Sequence, residues 1–432
     1  MSQAPLVSVI IPTHNRSQML VRHLLALSQQ TWPAEKFEVV VVADDCQDAT
    51  AEMVTSLSAQ LPFSMQFLSH SARSASASRN LGTTHAHGEY YLFLDDDVLP
   101  EPGLIATHLR ASGENRIVMG HSRPVLPEKP SFWQYSARLW WEDTFRAMRM
   151  PGYRFSYRDF FSGNLSMTAA LFRQVGGFDT NIRVRLEDYE LGIRLLKAGA
   201  EFCFEPEAVG HHYDFTDLRT WLQRVYKEGI ADIQIGQRHP ELRSILFADY
   251  EDVRGDWSRL KRLIRKVAFA WVQRRDRITS IGVRLAEICE LLRLRGPWLH
   301  LIGALREYNY WRGAAWRIGG YAELASWIQE APIMPTVGVD APLIHLDQPE
   351  SLEERQIKLE LAQKVGARAA WQGTELFSIP PMPGYEPLRF DHLLAVFRQQ
   401  ARQKFIPPLA LSLIQRKDLD LSVWPFNSQT SI

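Results

Sequence analysis

Residues 88–100 read GEYYLFLDDDVLP, an apolar run that ends on three consecutive aspartates. The letters YYLFL predict a buried β-strand, and Asp95, Asp96 and Asp97 directly follow it. Adjacent carboxylates repel one another unless a cation or hydrogen-bond donors lie between them. Carboxylate oxygens of this kind suit Mg²⁺ or Mn²⁺. The stretch therefore predicts a metal site at a strand end, with a solvated acidic turn that caps the following helix as the alternative.

Three further apolar runs in the first half of the chain have the same character. They are Val7 to Ile11, Phe37 to Val42 and Met65 to Leu68, and each is followed by polar residues. Strand-like runs that alternate with helical patterns are typical of an α/β fold with a mainly parallel sheet. In open sheets of this class, ligands bind at the edge where the carboxyl ends of the strands meet. We therefore expect the aspartates to lie at a ligand-binding edge.

The composition excludes several classes of protein. The chain has 432 residues with 49 basic and 49 acidic side chains, so no bulk positive charge draws it to nucleic acid. Hydrophobic residues make up 46% and charged residues 23%, which are ordinary values for globular proteins. Three scattered cysteines, Cys46, Cys203 and Cys289, are too few for a disulfide framework and fit a reducing compartment. Since the sequence shows neither a signal peptide nor a transmembrane helix, we expect a cytoplasmic protein.

The second half of the chain has a different pattern. From about residue 218 long helical patterns dominate, and residues 254–317 carry 15 basic and 5 acidic side chains, a net charge of +10. The stretch EAPIMPTVGVDAP then predicts a boundary. We expect a first domain over residues 1–245, a basic, aromatic-rich helical segment over residues 246–330, and a small C-terminal α+β domain over residues 331–432, with a helix from Leu352 to Val365.

The basic segment is a candidate for membrane contact. One predicted helix combines an apolar stripe with many cations: the stripe is Leu260, Leu263, Ile264, Val267 and Trp271, and the cations are Arg259, Lys261, Arg262, Arg265 and Lys266. A basic amphipathic helix can lie in an anionic membrane interface, which predicts peripheral contact with the inner face of the membrane through residues 254–317. The alternative is a helix packed on the first domain with its charges solvated.

Six sequence blocks occur in the order and at the approximate spacing of a known enzyme family. They are IIPTHNR, EVVVVADDCQDAT, SASRNLGTTHAHGEYYLFLDDDVLP, FFSGNLSMTAALFRQVGGFD, RLEDYELGIRLLKAGA and EPEAVGHHY. Through these blocks, which cover about residues 5 to 215, the chain resembles the family-two inverting glycosyltransferases with the GT-A fold. The resemblance implies an α/β GT-A nucleotide-sugar-binding fold with a mainly parallel twisted sheet as the catalytic domain over residues 1–245.

The resemblance assigns roles on the donor side. In the family the last aspartate of the DxD signature binds the metal and an earlier one approaches the ribose, which implies Asp97 as the ligand of Mn²⁺ or Mg²⁺ and Asp96 or Asp95 as the ribose contact. An acidic residue at the end of the second strand reads the base. The local sequence ADDC departs from the family's Asp-Asp-Gly-Ser, so Asp44 and Asp45 both stay candidates. Further positions that match the nucleotide site are Pro12, His14 and Arg79.

The resemblance also assigns roles on the acceptor side. Asp188 matches the family's catalytic aspartate, and a carboxylate opposite the leaving group that takes the proton of the acceptor hydroxyl sets inversion. Glu187 beside it would hold the acceptor or the loop, and Gly163 and Asn164 match the acceptor loop. The alternative for the two acids is the first turn of a helix, where negative charge stabilises the positive end of the dipole.

A histidine near the end of the last block matches a metal ligand that many relatives have. His211 and His212 are the candidates, of which we choose His211, and a structural histidine is the alternative. A histidine is a better ligand for Mn²⁺ than for Mg²⁺.

The resemblance implies a metal-dependent inverting glycosyltransferase that moves one sugar from a nucleotide-diphosphate sugar, a UDP-sugar by analogy, to a hydroxyl acceptor in glycan, glycolipid or polysaccharide synthesis. The processive synthases of the family combine a Gln-x-x-Arg-Trp signature with transmembrane helices, and the sequence has neither. Two alternatives stay open: a non-catalytic sugar- or partner-binding module on a transferase scaffold, and a sugar-phosphate nucleotidyltransferase. The latter needs a glycine-rich loop after the first strand, where this chain has PTHNRSQML.

Overall fold

The computed structural model describes residues 6–182, 185–247, 257–272, 276–330, 337, 340–347, 351–371 and 373–400. Parts of the segments that the sequence singled out lie outside the described residues. These parts are residues 254–256 and 273–275 of the basic segment and much of the C-terminal domain, including residues 401–432.

Strands and helices alternate over the first half of the chain, and helices dominate afterwards. The strands are β1 (Val7–Thr13), β2 (Phe37–Asp44), β3 (Ser64–His70), β4 (Tyr90–Leu94), β5 (Val98–Pro100), β6 (Arg116–Pro124), β7 (Asn164–Thr168), β8 (Glu201–His212), β9 (Leu343–His345), β10 (Ala367–Trp371) and β11 (Thr374–Ile379). The helices are α1 (Ser17–Leu27), α2 (Thr50–Ser58), α3 (Ala75–His85), α4 (Leu104–Ala111), α5 (Phe132–Met148), α6 (Ala169–Gln174), α7 (Glu187–Lys197), α8 (Leu218–Arg238), α9 (Arg243–Leu246), α10 (Trp257–Ala270), α11 (Arg277–Leu291), α12 (Arg295–Ile318), α13 (Tyr321–Gln329), α14 (Leu352–Val365) and α15 (Phe390–Gln400).

Eight of the described strands form one sheet in the spatial order β3-β2-β1-β4-β7-β6-β8-β5. Strands β3, β2, β1 and β4 run parallel to one another, and β6 runs parallel to β8. Strand β7 runs antiparallel to both of its neighbours, and β5 runs antiparallel to β8. The expected α/β class with a mainly parallel sheet is confirmed. The carboxyl ends of β1, β2 and β4 therefore meet at one edge of the sheet.

Apolar side chains cover both faces of the central strands. Val9 and Ile11 of β1 pack in one core with Leu20 of α1, whereas Ile10 contacts α3 on the opposite face, as the two-residue period of a strand requires. Gly82 of α3 permits this close approach, because a Cβ there would lie 2.6 Å from Cγ2 of Ile10. Burial on both faces is typical of parallel strands, and it fixes the positions of the strand ends that carry the polar residues.

The chain forms two compact units. One comprises residues 1–149 and 155–332 and so includes the basic segment, and the other comprises residues 150–154 and 333–432. In the second unit β9, β10 and β11 form a small sheet in the order β11-β10-β9, and Leu359, Leu393 and Phe397 are buried in its core. The helix expected from Leu352 to Val365 is present as α14.

Long helices pack together in the first unit. Helices α10 and α11 both lie against α12, which packs in turn on α8. In α10, Arg265 contacts Glu307 at 3.0 Å and lies 4.3 Å from the ring centroid of Trp311, so one side of this helix packs on α12 within the basic segment. Leu260 and Leu263 of its apolar stripe are exposed. Within the described residues, the structure contains no helix with the length and apolar character needed to cross a membrane.

Two glycines set the distance between α8 and α12. A Cβ on Gly229 would collide with the carbonyl oxygen of Tyr310, and a Cβ on Gly313 would collide with the carbonyl oxygen of Tyr226. Both clashes involve backbone atoms, which can move aside only if the two helices separate.

We expect Gly313→Ala to destabilise the first unit by about 1–3 kcal/mol, because the added methyl group forces α8 and α12 apart. Gly303→Ala in the same helix is the matched control, since a Cβ there meets nothing within 4 Å. This change is expected to stabilise the chain by about 0.5–1 kcal/mol through helix propensity. Chemical denaturation followed by tryptophan fluorescence measures both, and equal effects of the two substitutions would contradict the assigned packing.

Candidate functional site

The edge formed by β1, β2 and β4 carries the acidic residues that the sequence singled out. Asp44 ends β2, the three aspartates of residues 95–97 follow β4, and Pro12 lies in β1 opposite Val42. Asp44, Asp96 and Asp97 are all buried. Buried carboxylates need cations or hydrogen-bond donors, and here two arginines supply much of that compensation.

Arg16, which the sequence reasoning did not single out, lies between two of the aspartates. Its Nη1 is 2.8 Å from Oδ1 of Asp96 and 2.5 Å from Oδ2 of Asp97, and the hydroxyl of Thr13 donates to Asp96 at 2.6 Å. Burial, with a further contribution from Asp97, raises the pKa of Asp96 to about 6. Burial alone would lower the pKa of Arg16, but the charges of Asp97 and Asp96 raise it. Arg16 is the last residue of the block IIPTHNR, and this position was the sequence feature that could have identified it as a site residue.

Arg79 joins the remaining aspartate of this cluster to the start of α7. Its Nη2 donates to Asp95 at 2.7 Å, and its Nη1 donates to Glu187 at 3.2 Å. The guanidinium is buried, and it lies 5.4 Å from the ring centroid of Phe178. Burial opposes its charge, but Asp95 and Glu187 raise its pKa. Arg79 was expected at the nucleotide, and the structure places it between two carboxylates of the site.

Glu187 and Asp188 occupy the first turn of α7, as both interpretations of the sequence required. Leu186 before them has a left-handed backbone with φ 63°, which turns the chain sharply into the helix. Burial, with a further contribution from Glu187, raises the pKa of Asp188 to about 7, while Arg79 and Arg185 oppose the shift. A carboxylate whose pKa lies near neutrality is well suited to taking up a proton.

A second cluster lies at the end of β2. Both carboxylate oxygens of Asp44 accept hydrogen bonds from the backbone, at 2.8 Å from the amide of Arg73 and at 2.6 Å from the amide of Ser74. Asp45 has a left-handed backbone with φ 51° and pairs with the side chain of Arg73 at 2.6 Å. Nδ1 of His14 lies 2.5 Å from the carbonyl oxygen of Asp44. Asp44 therefore holds the loop before α3, and Asp45 is the more exposed carboxylate of the pair.

Gly163 leaves room for Asp95. The amide of Asp95 donates to the carbonyl of Gly163 at 3.0 Å, and a Cβ on Gly163 would lie 2.7 Å from Oδ2 of Asp95. Any other residue at position 163 would displace the aspartate or the strand, so the glycine supports the donor-side cluster directly.

Asn164, for which an acceptor contact was expected, lies inside the core. Asn164 is only 2% exposed, its Oδ1 accepts from Nε2 of His108 at 2.9 Å, and its Nδ2 donates to the carbonyl of Ala208 at 3.0 Å. Both amide atoms are therefore satisfied inside the core. The residue holds β7 to its neighbours, because the strand turns this side chain away from the solvent edge.

Of the two candidate histidines, His212 lies nearer to the aspartates than His211 does. Nε2 of His212 lies 3.7 Å from Oδ1 of Asp97, whereas Nε2 of His211 lies 2.9 Å from Oε1 of Glu101. Neighbouring residues of a strand point to opposite faces, so only one of the two histidines can approach the aspartates.

These residues fit a divalent cation that is completed by substrate. No group of three or more candidate metal-ligating side chains is present among the described residues. A cation in a phosphate site needs only one or two carboxylates, because phosphate oxygens and water complete its coordination. Asp97 supplies such a carboxylate and His212 lies beside it. The guanidinium of Arg16 lies between Asp96 and Asp97, so these two carboxylates already stabilise a positive charge at this position.

An aromatic cluster that the sequence reasoning missed lies next to His212. The ring of Trp141 in α5 is 6.1 Å from the ring of His212 and 5.0 Å from that of Phe161, and it stacks on Phe145 at 5.4 Å. Binding sites for small molecules are commonly lined by aromatic side chains with a few polar groups among them. The local sequence WWEDTF was the available signal.

Comparisons with known proteins show similarity to glycosyltransferases. Residues 8–176 match the profile of glycosyl transferase family 2, and residues 142–217 match that of the N-terminal domain of galactosyltransferase. Validoxylamine A glucosyltransferase of Streptomyces hygroscopicus subsp. jinggangensis is 29% identical over 280 residues, which cover 57% of this chain and 64% of that protein. The uncharacterized glycosyltransferase YfnE of Bacillus subtilis is 28% identical over 254 residues, which cover 48% of this chain and 64% of that protein.

A solved structure with a similar fold is the mannosyltransferase PcManGT from Pyrobaculum calidifontis in complex with GDP-Man and Mn²⁺. It superposes with a TM-score of 0.48 at 18% identity, over 71% of this chain and 86% of that chain. The chain thus spans somewhat less than two thirds of the length of the two curated relatives. The match over residues 8–176 confirms the resemblance carried by the sequence blocks: this part of the chain is similar to glycosyl transferase family 2.

Proposed function

We propose that the chain transfers one sugar from a nucleotide-diphosphate sugar to a hydroxyl acceptor, with inversion at the anomeric carbon. The observation that carries this proposal is the link through Arg79 between Asp95 of the aspartate cluster and Glu187, the neighbour of Asp188. This link connects the aspartate cluster, which suits a nucleotide-sugar donor, to the start of α7, where Asp188 suits an acceptor hydroxyl. The names of the relatives, which are glycosyltransferases, support the same reaction class.

On the donor side we assign Asp97, with His212, to a divalent cation, Mn²⁺ or Mg²⁺. When bound, such a metal neutralises the departing diphosphate. Asp95 or Asp96 contacts the ribose in this proposal. Residues at the ends of β1 and β2 line the base: Pro12, His14, Asp44 and Asp45. The nucleotide is uridine diphosphate, on the strength of the family resemblance.

On the acceptor side Asp188 is the base. Its carboxylate takes the proton of the acceptor hydroxyl while the hydroxyl oxygen bonds to the anomeric carbon. The bond from that carbon to the diphosphate oxygen breaks, and its electron pair leaves with the diphosphate. Because the attack comes from the face opposite the leaving group, the configuration inverts. Glu187 and Arg79 position Asp188, and Gly163 is assigned to the acceptor side on the strength of the family resemblance.

The setting of the reaction is part of the proposal. The acceptor is a glycan or a lipid-linked hydroxyl, and one sugar is added per encounter. The three cysteines are free thiols, which supports a reducing, cytoplasmic location. Peripheral membrane contact through residues 254–317 remains part of this proposal.

We expect nucleotide release from a panel of UDP- and GDP-sugars in the presence of Mn²⁺, and we expect Asp188→Asn to slow it by about 10²–10⁴-fold, as is typical when a positioned base is removed. Nucleotide affinity, measured by calorimetry, should stay nearly unchanged, because Asp188 acts on the acceptor. Wild-type turnover by the variant would refute the role of Asp188. Formation of pyrophosphate from a nucleoside triphosphate and a sugar phosphate would instead indicate a nucleotidyltransferase.

The pH dependence tests the environment of Asp188. The base must be ionised, so the rate should rise with pH through its pKa, which burial and Glu187 raise to about 7. In Glu187→Gln one like charge is lost, and the acidic limb of the profile of kcat/KM should move to lower pH. A limb near the ordinary value of an aspartate, about 4, in the wild-type protein would contradict the assignment.

Mn²⁺ binding tests the donor side without an activity assay. In Asp97→Asn, electron paramagnetic resonance should show weaker binding of Mn²⁺ with uridine diphosphate present. In Arg16→Gln, binding of Mn²⁺ alone should tighten by about tenfold or more, because a competing charged hydrogen bond worth ~1.5–3 kcal/mol is removed. The same Mn²⁺ affinity in both variants and in the wild-type protein would contradict a metal site at Asp97.

A further inference from the structure

The connection between α11 and α12 exposes an unusual number of large apolar side chains. Residues 291–297 are all exposed, and the exposed fraction reaches 81% at Leu291 and 60% at Leu299. Exposed residues continue along one face of α11 at spacings of four and three residues. Together they form what we call the hairpin surface: Ile281, Leu285, Ile288, Leu291, Leu292, Leu294 and Leu299.

The hairpin surface is not the core-facing side of the helices. Val283 and Ala286 of α11 and Trp298 and Ile302 of α12 are buried in a shared core with Leu222 of α8. Helix α11 is therefore apolar on two faces. One face packs in the core, and the other is exposed to solvent. Contiguous exposed apolar side chains mark interaction sites, whereas isolated ones are ordinary.

Cations are interleaved with these leucines. Arg284, Arg293 and Arg295 lie within the same stretch, and their side chains form no ion pair with any residue that the structure describes. Two acidic residues lie in the stretch: Glu290 accepts a hydrogen bond from the amide of Phe132 at 3.0 Å, and Glu287 is exposed, so the three arginines exceed the exposed acids by two charges. Apolar side chains together with uncompensated arginines match an anionic lipid surface, where leucines enter the interface and arginines contact head groups.

We propose that the hairpin surface docks the chain on an anionic lipid bilayer. This surface differs from the stripe of α10 that the sequence suggested, because it lies on α11 and the start of α12 and has seven exposed large apolar side chains, whereas Leu260 and Leu263 are the two exposed leucines of the α10 stripe. Residues 291–297 are all exposed, so a lipid bilayer can contact this whole connection. The inference stands independently of the proposed glycosyl transfer.

Helix α5 connects the hairpin surface to the candidate site. The ring of Phe132, at the start of α5, is 5.8 Å from that of Trp298, and Trp141 further along α5 contacts His212. The two ends of this path are about 14 Å apart along the helix axis. One helix therefore links the hairpin surface to the candidate site.

The test is flotation of the full chain with vesicles of phosphatidylcholine alone or mixed with phosphatidylglycerol. We expect flotation with the anionic vesicles, loss of it at high salt, and little with the neutral ones. The double variant Leu291→Glu with Leu292→Glu should bind the anionic vesicles at least tenfold more weakly, since each inserted leucine contributes about 1.5–3 kcal/mol. Its matched control is Leu352→Glu with Ile357→Glu on α14, at positions that are 83% and 60% exposed. The control should float like the wild-type protein.

A second variant measures the contribution of the arginines to vesicle binding. Arg284→Gln, Arg293→Gln and Arg295→Gln combined should weaken binding to anionic vesicles on the order of a hundredfold, at ~1 kcal/mol per arginine near the surface. Thermal unfolding checks that each variant is folded. Failure of the wild-type protein to float with anionic vesicles would overturn the proposal, and so would equal flotation of the leucine variant and its control. Nucleotide release without vesicles should be unchanged in both variants, which keeps this test separate from that of glycosyl transfer.

Discussion

The guanidinium of Arg79 is the contact on which the candidate site depends. It is buried, and a buried charge is tolerated only with partners. Those partners are Asp95, which follows β4, and Glu187, which begins α7. The two carboxylates lie far apart in the chain, so one side chain fixes the distance between the donor end of the sheet and the helix that carries Asp188. Removal of either carboxylate would leave the guanidinium paired with the other one, but it would break the link between the end of β4 and the start of α7.

The sequence predicted the parts of the site that depend on strand ends. Because parallel strands finish at a common edge, Asp44 and the aspartates of residues 95–97 had to lie together, and they do. It could not predict which charges pair, since the contacts of Arg16 with Asp96 and Asp97 join residues about 80 positions apart. Nor could the sequence show that Asn164 faces His108, because the orientation of β7 is set by its pairing with β4 and β6. The sequence also could not show which of His211 and His212 lies beside Asp97, because the pairing of β8 with β5 decides which of them points to that face.

The helices of residues 257–318 show a related limit. Periodicity identifies an apolar face but not what covers it. In α10 the basic residue Arg265 packs on Trp311, whereas α11 keeps a second apolar face in solvent. Helix α12 contacts both helices, and Leu260 and Leu263 of α10 also stay exposed. The long-range packing of α12 thus decides which side of each amphipathic helix is covered.

The most direct measurement of the central claim is the configuration of the sugar at the moment of its release. Proton NMR can follow the hydrolysis of an α-linked UDP-sugar, with water in place of the acceptor, so no knowledge of the natural acceptor is required. A single displacement with Asp188 as base yields the β-anomer first. If the α-anomer appears first, the attack does not come from the face opposite the diphosphate, and the roles assigned to Asp188 and to the aspartate cluster are wrong.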